Sequence, residues 1–156
     1  MVQRQSPART IEAWGTAGHE ITAAIAQMYL FDSTRTTLCS TLPVYTDCHL
    51  APLAAWADKI KWQMCWSSPL HYMNGIGNHL GDHCVFGEQG WMGAPGMNIL
   101  GGVKNTSMWL QGEKPGTEEA LRFFVHFMGD LPMPLHSLDR EEQRPDADRA
   151  LTATHG

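Results

Sequence analysis

His126 and Asp130 stand four residues apart in an otherwise largely apolar segment, so on a helix they would share one face. An imidazole and a carboxylate at this spacing can bind one cation, and burying them without a partner would cost free energy. A turn containing Pro132 and Pro134 then brings His136 back toward the end of that helix. Taken alone, the pair favours a simpler interpretation, a hydrogen-bonded histidine and a surface aspartate.

Asp58 is a second candidate ligand, in the tripeptide Trp56-Ala57-Asp58. Its neighbours are mostly alanine and other apolar residues, so the carboxylate needs a partner. That partner could be a metal ion, or only Lys61 three residues later in an ordinary helical ion pair. For this motif alone the ion pair is the simpler interpretation.

Two further segments contain histidines with a possible chemical role. One begins at Trp14 and ends at His19, where the imidazole could bind a metal or simply be solvated. In the other, His71 is followed by Tyr72, whose ring could stack on a nucleic-acid base or belong to the core. Neither segment assigns a function without the others.

A fifth candidate cluster lies in a glycine-rich stretch. His79 and His83 have His-x-x-x-His spacing, with Cys84 next to the second histidine. We consider it a much weaker candidate for metal binding than the other segments.

The chain has 156 residues and 43% hydrophobic residues, as expected of one globular domain. Its formal net charge is −5, whereas a nucleic-acid binder that relies on lysine and arginine is usually basic. Bound divalent cations would supply the positive charge that a phosphate ligand needs. No apolar run approaches the roughly 18 residues that span a bilayer, so no membrane span is predicted.

The cysteines and one glycosylation sequon bear on whether the protein is secreted. Asn105 begins an Asn-Thr-Ser glycosylation sequon, which has meaning only in a secreted protein. The first 13 residues lack the apolar core of a signal peptide, so no signal peptide is visible. The four cysteines permit two disulfides in three connectivities: Cys39, Cys48, Cys65 and Cys84.

Periodicity and turn residues predict an all-α fold, a single mostly helical domain with long loops. In the last helix, Thr117 is the predicted N-cap, Glu118 and Glu119 suit the positive end of the dipole, and Pro132 ends the helix. The other predicted segments are a helix over 17–30, a loop over 31–47, a helix from 50 to about 62 with Pro52 in its first turn, a loop over 67–96 and a helix over 97–111. Apolar residues recur at helical spacing in the first of these helices (Ile21, Ile25, Met28) and lie on one side of the last (Ile99, Leu100, Val103). We expect a polar leader (1–13), a partial nuclease domain (14–138) and a divergent, polar tail (139–156).

Together these motifs resemble the fungal and plant single-strand-specific zinc nucleases of the S1/P1 type. The matching motifs are Trp-Gly-x-x-Gly-His, Trp-Ala-Asp, Leu-His-Tyr and His-Phe-Met-Gly-Asp-x-x-x-Pro-Leu-His, from Trp14 to His136. The last motif is the most specific. The resemblance covers most of this chain but only the first part of the family's catalytic domain.

The resemblance implies an all-α, secreted nuclease with three zinc ions. One ion would be held by Asp58, His71, His126 and Asp130. Asp130 would bridge to a second ion, completed by His19 and the backbone amine and carbonyl of Trp14. His136 would be one ligand of the third ion.

The resemblance also implies a mechanism. Paired zinc ions roughly 3.5–4 Å apart would activate water for in-line attack on phosphorus, giving 5′-phosphate products. Asp58 and Asp130 would be catalytic through the metals, with Lys61 where the family commonly has an arginine near the phosphoryl group. Tyr72 would stack on a base of single-stranded DNA or RNA, and Asn74 would read the edge of that base.

This sequence departs from the family pattern in three ways. Trp14 is preceded by 13 residues, so its nitrogen is an amide, a poor metal ligand compared with an amine. The sequence after His136 lacks the histidine and aspartate that would complete the third zinc site. The domain is also expected to be truncated at its carboxyl end, which would leave part of the core uncovered.

Three hypotheses follow. The chain is a zinc nuclease or related phosphodiesterase, with phospholipids as another substrate class and with activity impaired in this chain. Alternatively, it is a truncated, inactive relative that at most binds metal or nucleic acid. An unrelated helical binding module would require all four motifs to coincide by chance. We expect a monomer.

Overall fold

The computed structural model describes residues 14–73, 96–112, 116–133 and 136, and within these residues every regular element is helical. The all-α prediction is therefore confirmed. Short 3-10 helices cover Val44–Thr46 and Cys65–His71. The α-helices are α1 (Thr16–Met28), α2 (Asp32–Thr41), α3 (Ala51–Ala54), α4 (Trp56–Ile60), α5 (Ile99–Gln111) and α6 (Thr117–Asp130).

Helix α1 occupies the predicted segment, but its apolar periodicity does not mark the buried face. Ile21, Ile25 and Met28 are 60%, 51% and 78% exposed. The buried residues of α1 are His19 and Ala23. The helix therefore turns an imidazole inward, which a hydrophobicity pattern alone does not predict.

The predicted loop over 31–47 is wrong, because α2 and a 3-10 turn lie there. The threonines and serines of α2 bond back to carbonyls one turn earlier, as Thr36 does to Asp32 and Thr37 to Ser33. Such bonds satisfy the hydroxyl groups within the helix, although serine and threonine are not favourable residues in a helix interior. Leu38 packs against the core, and a disulfide joins Cys39 to the segment after the helix.

The second predicted helix is broken rather than continuous. Helices α3 and α4 are separated at Ala55, and the carbonyl of Ala54 accepts a hydrogen bond from the imidazole of His126. The tertiary contact thus lies where the two short helices meet. Pro52 does lie in the first turn, as predicted.

Helices α5 and α6 match their predicted segments, and they pack against each other. Thr117 is not the N-cap: Gly116 holds that position with φ 89°, and Thr117 is the first helical residue. On α5, Ile99 is buried but Leu100 is 46% exposed, so these two do not share the core face.

Helix α6 contributes to two hydrophobic clusters, which fixes its position in the domain. Leu121 packs with residues of α1 and α3, including Ala23 and Leu53. Phe123 and Phe127 pack with residues around α4 and α5, such as Ile99. The polar residues of α6 that face inward, described below, are thereby held in a rigid setting. No helix in the described part of the chain is long and apolar enough to cross a membrane.

Candidate metal centre

The structure brings together ligand atoms from four separate elements. Helix α1 supplies His19, α4 supplies Asp58, the second 3-10 helix ends at His71, and α6 supplies His126 and Asp130. Two overlapping groups have all their ligand atoms within 4.8 Å of one another: His19 with His126 and Asp130, and Asp58 with His71 and His126. Residues up to 111 positions apart in sequence thus converge on one point.

Asp130 lies at the middle of this cluster and is 1% exposed. Its Oδ2 atom is 3.0 Å from His71 Nδ1 and 3.1 Å from His126 Nε2, and its Oδ1 atom is 3.3 Å from His19 Nε2. Burial alone would raise the pKa of this carboxyl, but the facing histidines, His126 foremost, hold it well below its usual range. Asp130 is therefore a carboxylate anion deep inside the protein.

Asp58 closes the other side of the cluster at longer distances. Its Oδ1 atom is 3.8 Å from His71 Nδ1 and 3.7 Å from His126 Nε2, and its Oδ2 atom is 3.9 Å from His19 Nε2. The Asp58 side chain is 34% exposed, and Lys61 Nζ lies 3.3 Å from Oδ1. Asp58 and Lys61 therefore form the solvent-facing rim of an otherwise buried site.

The orientation of His126 is fixed by a backbone carbonyl. Its Nδ1–H donates to the Ala54 carbonyl at 2.6 Å, which leaves Nε2 to point at Asp130 and at His71 Nδ1, 3.1 Å away. A carbonyl that fixes the tautomer in this way is the usual outer partner of a metal-binding histidine.

The pKa values of His126 and His71 are shifted in opposite directions. Burial, the largest effect on His126, lowers its pKa, but bonding and charge from Asp130 and the Ala54 carbonyl together raise it above the usual value. Burial dominates at His71 and lowers its pKa despite the nearby Asp130. The surroundings therefore favour positive charge on His126 and disfavour it on His71.

These donors fit a zinc ion. Zinc is usually tetrahedral with Zn–N distances of about 2.0–2.1 Å, which puts neighbouring ligand atoms about 3.3 Å apart. The triangle formed by Asp130 Oδ2, His71 Nδ1 and His126 Nε2 has sides of 3.0, 3.1 and 3.1 Å, with Asp58 Oδ1 slightly farther away. Among the residues that the structure describes, none completes a hydrogen bond to either buried nitrogen of His19 or to Nε2 of His71, although His19 Nε2 lies 3.3 Å from Asp130 Oδ1. Imidazole and carboxylate groups in this arrangement suit a divalent cation better than a set of hydrogen bonds.

The position of His19 depends on a glycine. Its ring stacks on His126 with centroids 3.9 Å apart. A Cβ atom at Gly129 would lie 2.7 Å from His19 Nδ1, so a side chain there would displace the imidazole. Gly129 was not among the residues predicted for the site, although it lies inside the most specific motif. Ala54, which acts through its carbonyl, gives no signal in the sequence.

His136 returns to the end of α6, as the turn residues predicted. Its Nδ1–H donates to the His71 carbonyl, and its backbone carbonyl accepts from Met73 at 2.7 Å. Nδ1 also lies 3.6 Å from Asp130 Oδ1. The Tyr72 ring is 5.4 Å from the His136 ring, at the edge of the cluster. His136 Nε2 is thus the ring nitrogen that remains for a ligand.

The remaining predicted residues lie at the edge of the site or outside the described part. Trp14 immediately precedes α1 and rests its indole on Gly18, where a Cβ would come within 2.6 Å of the ring. Asn105 is exposed on α5. Cys39 pairs with Cys48, and Cys65 is a free, exposed thiol. Asn74 and the cluster of His79, His83 and Cys84 lie outside the described residues.

Comparison with known proteins identifies a family that covers most of this chain. The family model described as S1/P1 Nuclease matches residues 14–149. Endonuclease 2 of Arabidopsis thaliana is 34% identical over 141 residues, covering 83% of this chain and 47% of its own. Nuclease S1 of Aspergillus oryzae is 32% identical over 133 residues (82% and 45%), and Nuclease P1 of Penicillium citrinum 30% over 128 (79% and 47%).

The chain belongs to the S1/P1 nuclease family. It spans about half the length of the curated relatives that it matches. Nuclease activity is a property of that family, and the His and Asp groups could bind a metal ion. The resemblance first seen in the four motifs is therefore confirmed.

Proposed function

We propose that this chain forms the metal centre of a zinc-dependent endonuclease that hydrolyses single-stranded nucleic acid to 5′-phosphate products. The observation that carries the proposal is the convergence of three imidazoles and Asp58 on the buried carboxylate of Asp130. Burying this many polar groups around one anion is costly unless a cation joins them. The family membership indicates which reaction such a cation would serve.

Asp130 would help to hold two ions. Asp58, His71 and His126 would hold the first ion with it. His19 would hold the second, with the Trp14 backbone as the further ligand implied by the resemblance. His136 would belong to the third ion. Bound zinc would supply a water activated at neutral pH and positive charge for the phosphate oxygens.

The chain's own residues supply the positioning. The Ala54 carbonyl holds His126 in the tautomer whose Nε2 can bind, and burial keeps His71 neutral and therefore able to coordinate. Lys61, at the open rim, adds a mobile positive charge that can meet a phosphate, although it lacks the bidentate geometry of arginine. Tyr72 lies at the edge of the cluster, where it could stack on a base.

A second candidate function is metal or nucleic-acid binding without catalysis. It is favoured by the position of His136, because neither of the two His and Asp groups that could hold a metal ion in the described part of the chain includes this residue. Metals that cooperate in one reaction contribute as a unit, so one incomplete site is expected to lower activity strongly.

The test is hydrolysis of single-stranded DNA by the zinc-loaded chain, by the chelated chain and by Asp130→Asn. We expect zinc-dependent cleavage with 5′-phosphate ends, abolished by chelation, and a loss of at least one zinc per chain in Asp130→Asn. Asp32→Asn, an exposed carboxylate on α2, is the matched control and should keep its zinc content.

The outcomes separate the two candidates. Zinc binding that depends on Asp130 without any cleavage would support the non-catalytic alternative. Unchanged zinc content in Asp130→Asn would refute the metal-site assignment itself. Phosphatidylcholine vesicles assayed in parallel would show whether phospholipids are the substrate instead.

Secretion and glycosylation form a further part of the proposal. A Cys39–Cys48 disulfide is typical of an oxidising compartment, and the exposed Asn105 can accept a glycan there. Produced with a secretion signal in a eukaryotic host, the chain should shift to lower mass on endoglycosidase treatment. Asn105→Gln should remove that shift, and a shift that persists would refute Asn105 as the site.

A further inference from the structure

Trp62 is a large aromatic residue that is 82% exposed and stands four residues after Asp58 in the sequence. Only Lys61 separates Trp62 from the end of α4, and Lys61 keeps a right-handed helical backbone with φ −55° and ψ −25°. The helical path therefore continues past Ile60. Residues three and four positions apart on a helical path lie on the same side of it. Lys61 and Trp62 are three and four residues after Asp58, so we place them on the side of the helix that carries Asp58.

Two lysines stand within three residues of this indole, although the formal net charge of the chain is −5. Lys61 Nζ lies 3.3 Å from Asp58 Oδ1, and Lys59 is exposed one turn back along the helix. The ammonium group of Lys61 is therefore held at the rim of the metal site, in the residue next to the exposed indole.

Aromatic rings and lysines in alternation are what a single-stranded nucleic acid binds. Bases stack on exposed rings whatever their identity, and cations follow the phosphates. The core does not account for Trp62, because the neighbouring aromatic contacts are made by Trp56 and Trp66, which pack on Phe123. Trp62 is absent from those contacts and projects into solvent.

We propose that Trp62 and Lys61 form a nucleotide subsite next to the metal centre, in which the indole stacks on a base and the ammonium contacts the adjoining phosphate. This subsite rests on the proposed nuclease function. The Tyr72 ring lies 6.1 Å from the His71 ring and 5.4 Å from the His136 ring, whereas Trp62 follows Asp58 by four residues along the helical path. A strand whose phosphate reaches the metals would therefore place one base on Tyr72 and a neighbouring base on Trp62.

The test compares a ligand that spans both subsites with one that fills a single subsite. The zinc-loaded chain is titrated with phosphorodithioate-linked dithymidylate, whose hydrolysis is slowed, and with thymidine 5′-phosphate. Trp62→Ala should weaken dinucleotide binding about 5- to 150-fold, the equivalent of one lost stacking contact, and so reduce the preference for the dinucleotide. Trp62→Phe should retain most of that preference, because a ring remains. Zinc content should not change.

Tyr29→Ala is the matched control, because Tyr29 is also 82% exposed but lies at the end of α1. It should bind both ligands as the unmodified chain does. If Trp62→Ala keeps the full dinucleotide preference, or loses affinity for both ligands equally, the subsite is refuted while the nuclease proposal stands. If the unmodified chain binds neither ligand, the proposed function fails, and the subsite fails with it.

Discussion

At the scale of single residues, the site consists of the buried Asp130 carboxylate and imidazoles whose positions depend on residues outside the candidate ligand set. Asp130 makes the close contacts, but Ala54 and Gly129 decide where two of the three imidazoles lie. Neither of these two residues has a side chain that could bind a metal. Ala54 contributes its backbone carbonyl, and Gly129 contributes the space that a side chain would otherwise fill.

Gly129→Ala should displace His19 and weaken zinc binding. The added methyl group would lie 2.7 Å from His19 Nδ1 and 3.3 Å from Cε1, so the imidazole must shift from its present position. Disturbing a residue that orients a ligand typically costs about 10- to 100-fold in metal affinity, which is the loss we expect. The measurement is a zinc titration against a chromophoric chelator.

Gly15→Ala is the control for this substitution, since a Cβ there would meet nothing within 4 Å. It should bind zinc as the unmodified chain does. Wild-type zinc affinity in a folded Gly129→Ala protein would contradict the assigned role of Gly129 and would weaken the case for His19 as a ligand.

At the scale of elements, α6 both supplies ligands and joins the two hydrophobic clusters. His126 and Asp130 are one helical turn apart, and Phe127 between them is buried to 1% exposure. Phe127 also lies edge-on to the His71 ring, with centroids 5.4 Å apart. The same helix therefore connects the stability of the core with the geometry of the site.

Phe127→Ala should lower the free energy of unfolding by about 3–5 kcal/mol, the usual cost of truncating a buried phenylalanine. The cavity would open between α5 and α6, because the Phe127 ring packs against Gly102. Urea unfolding of the metal-free protein is the measurement. Met128→Ala, the adjacent residue at 42% exposure, should cost much less, and equal losses for both variants would show that α6 is not buried on the assigned face.

At the scale of the whole molecule, metal binding is expected to stabilise the fold, because the ligands come from elements far apart in sequence. His19, Asp58, His71 and Asp130 meet only in the folded chain. A ligand that binds the folded state alone stabilises it by about 2.7 kcal/mol at a hundredfold excess over its dissociation constant. Each additional site would add a similar amount.

Removing the metal should therefore lower the thermal midpoint, and added zinc should restore it. The experiment is thermal unfolding followed by circular dichroism with chelator, with zinc and with magnesium as the comparison cation. Asp130→Asn should lose most of the zinc-dependent shift. A midpoint that does not respond to zinc would count against a metal centre in this fold, even if the protein were well folded.

The sequence alone was sufficient to predict the all-α class, and three of the four predicted helical segments are single helices. It was also sufficient to predict the family, because the four motifs occur in the family's order and spacing. It also singled out the five His and Asp residues that the structure brings together, whose role as metal ligands stays a prediction. The α2 segment was missed because its serines and threonines satisfy their own helix, which composition alone cannot distinguish from a loop. The continuous helix over 50–62 was wrong because the break lies where Ala54 accepts from His126, a contact 72 residues away in sequence.

Only the tertiary structure decided which atoms of those ligands face each other. Spacing placed His126 and Asp130 on one face, but it could not bring His19, Asp58 and His71 to them, since that requires four elements to pack. The apolar residues of α1 were likewise expected to face the core, but they are exposed. The buried side of this helix carries His19 and Ala23 instead, because His19 packs into the site. Local sequence determines which groups are available for chemistry, whereas long-range packing determines their distances, and metal chemistry depends on the distances.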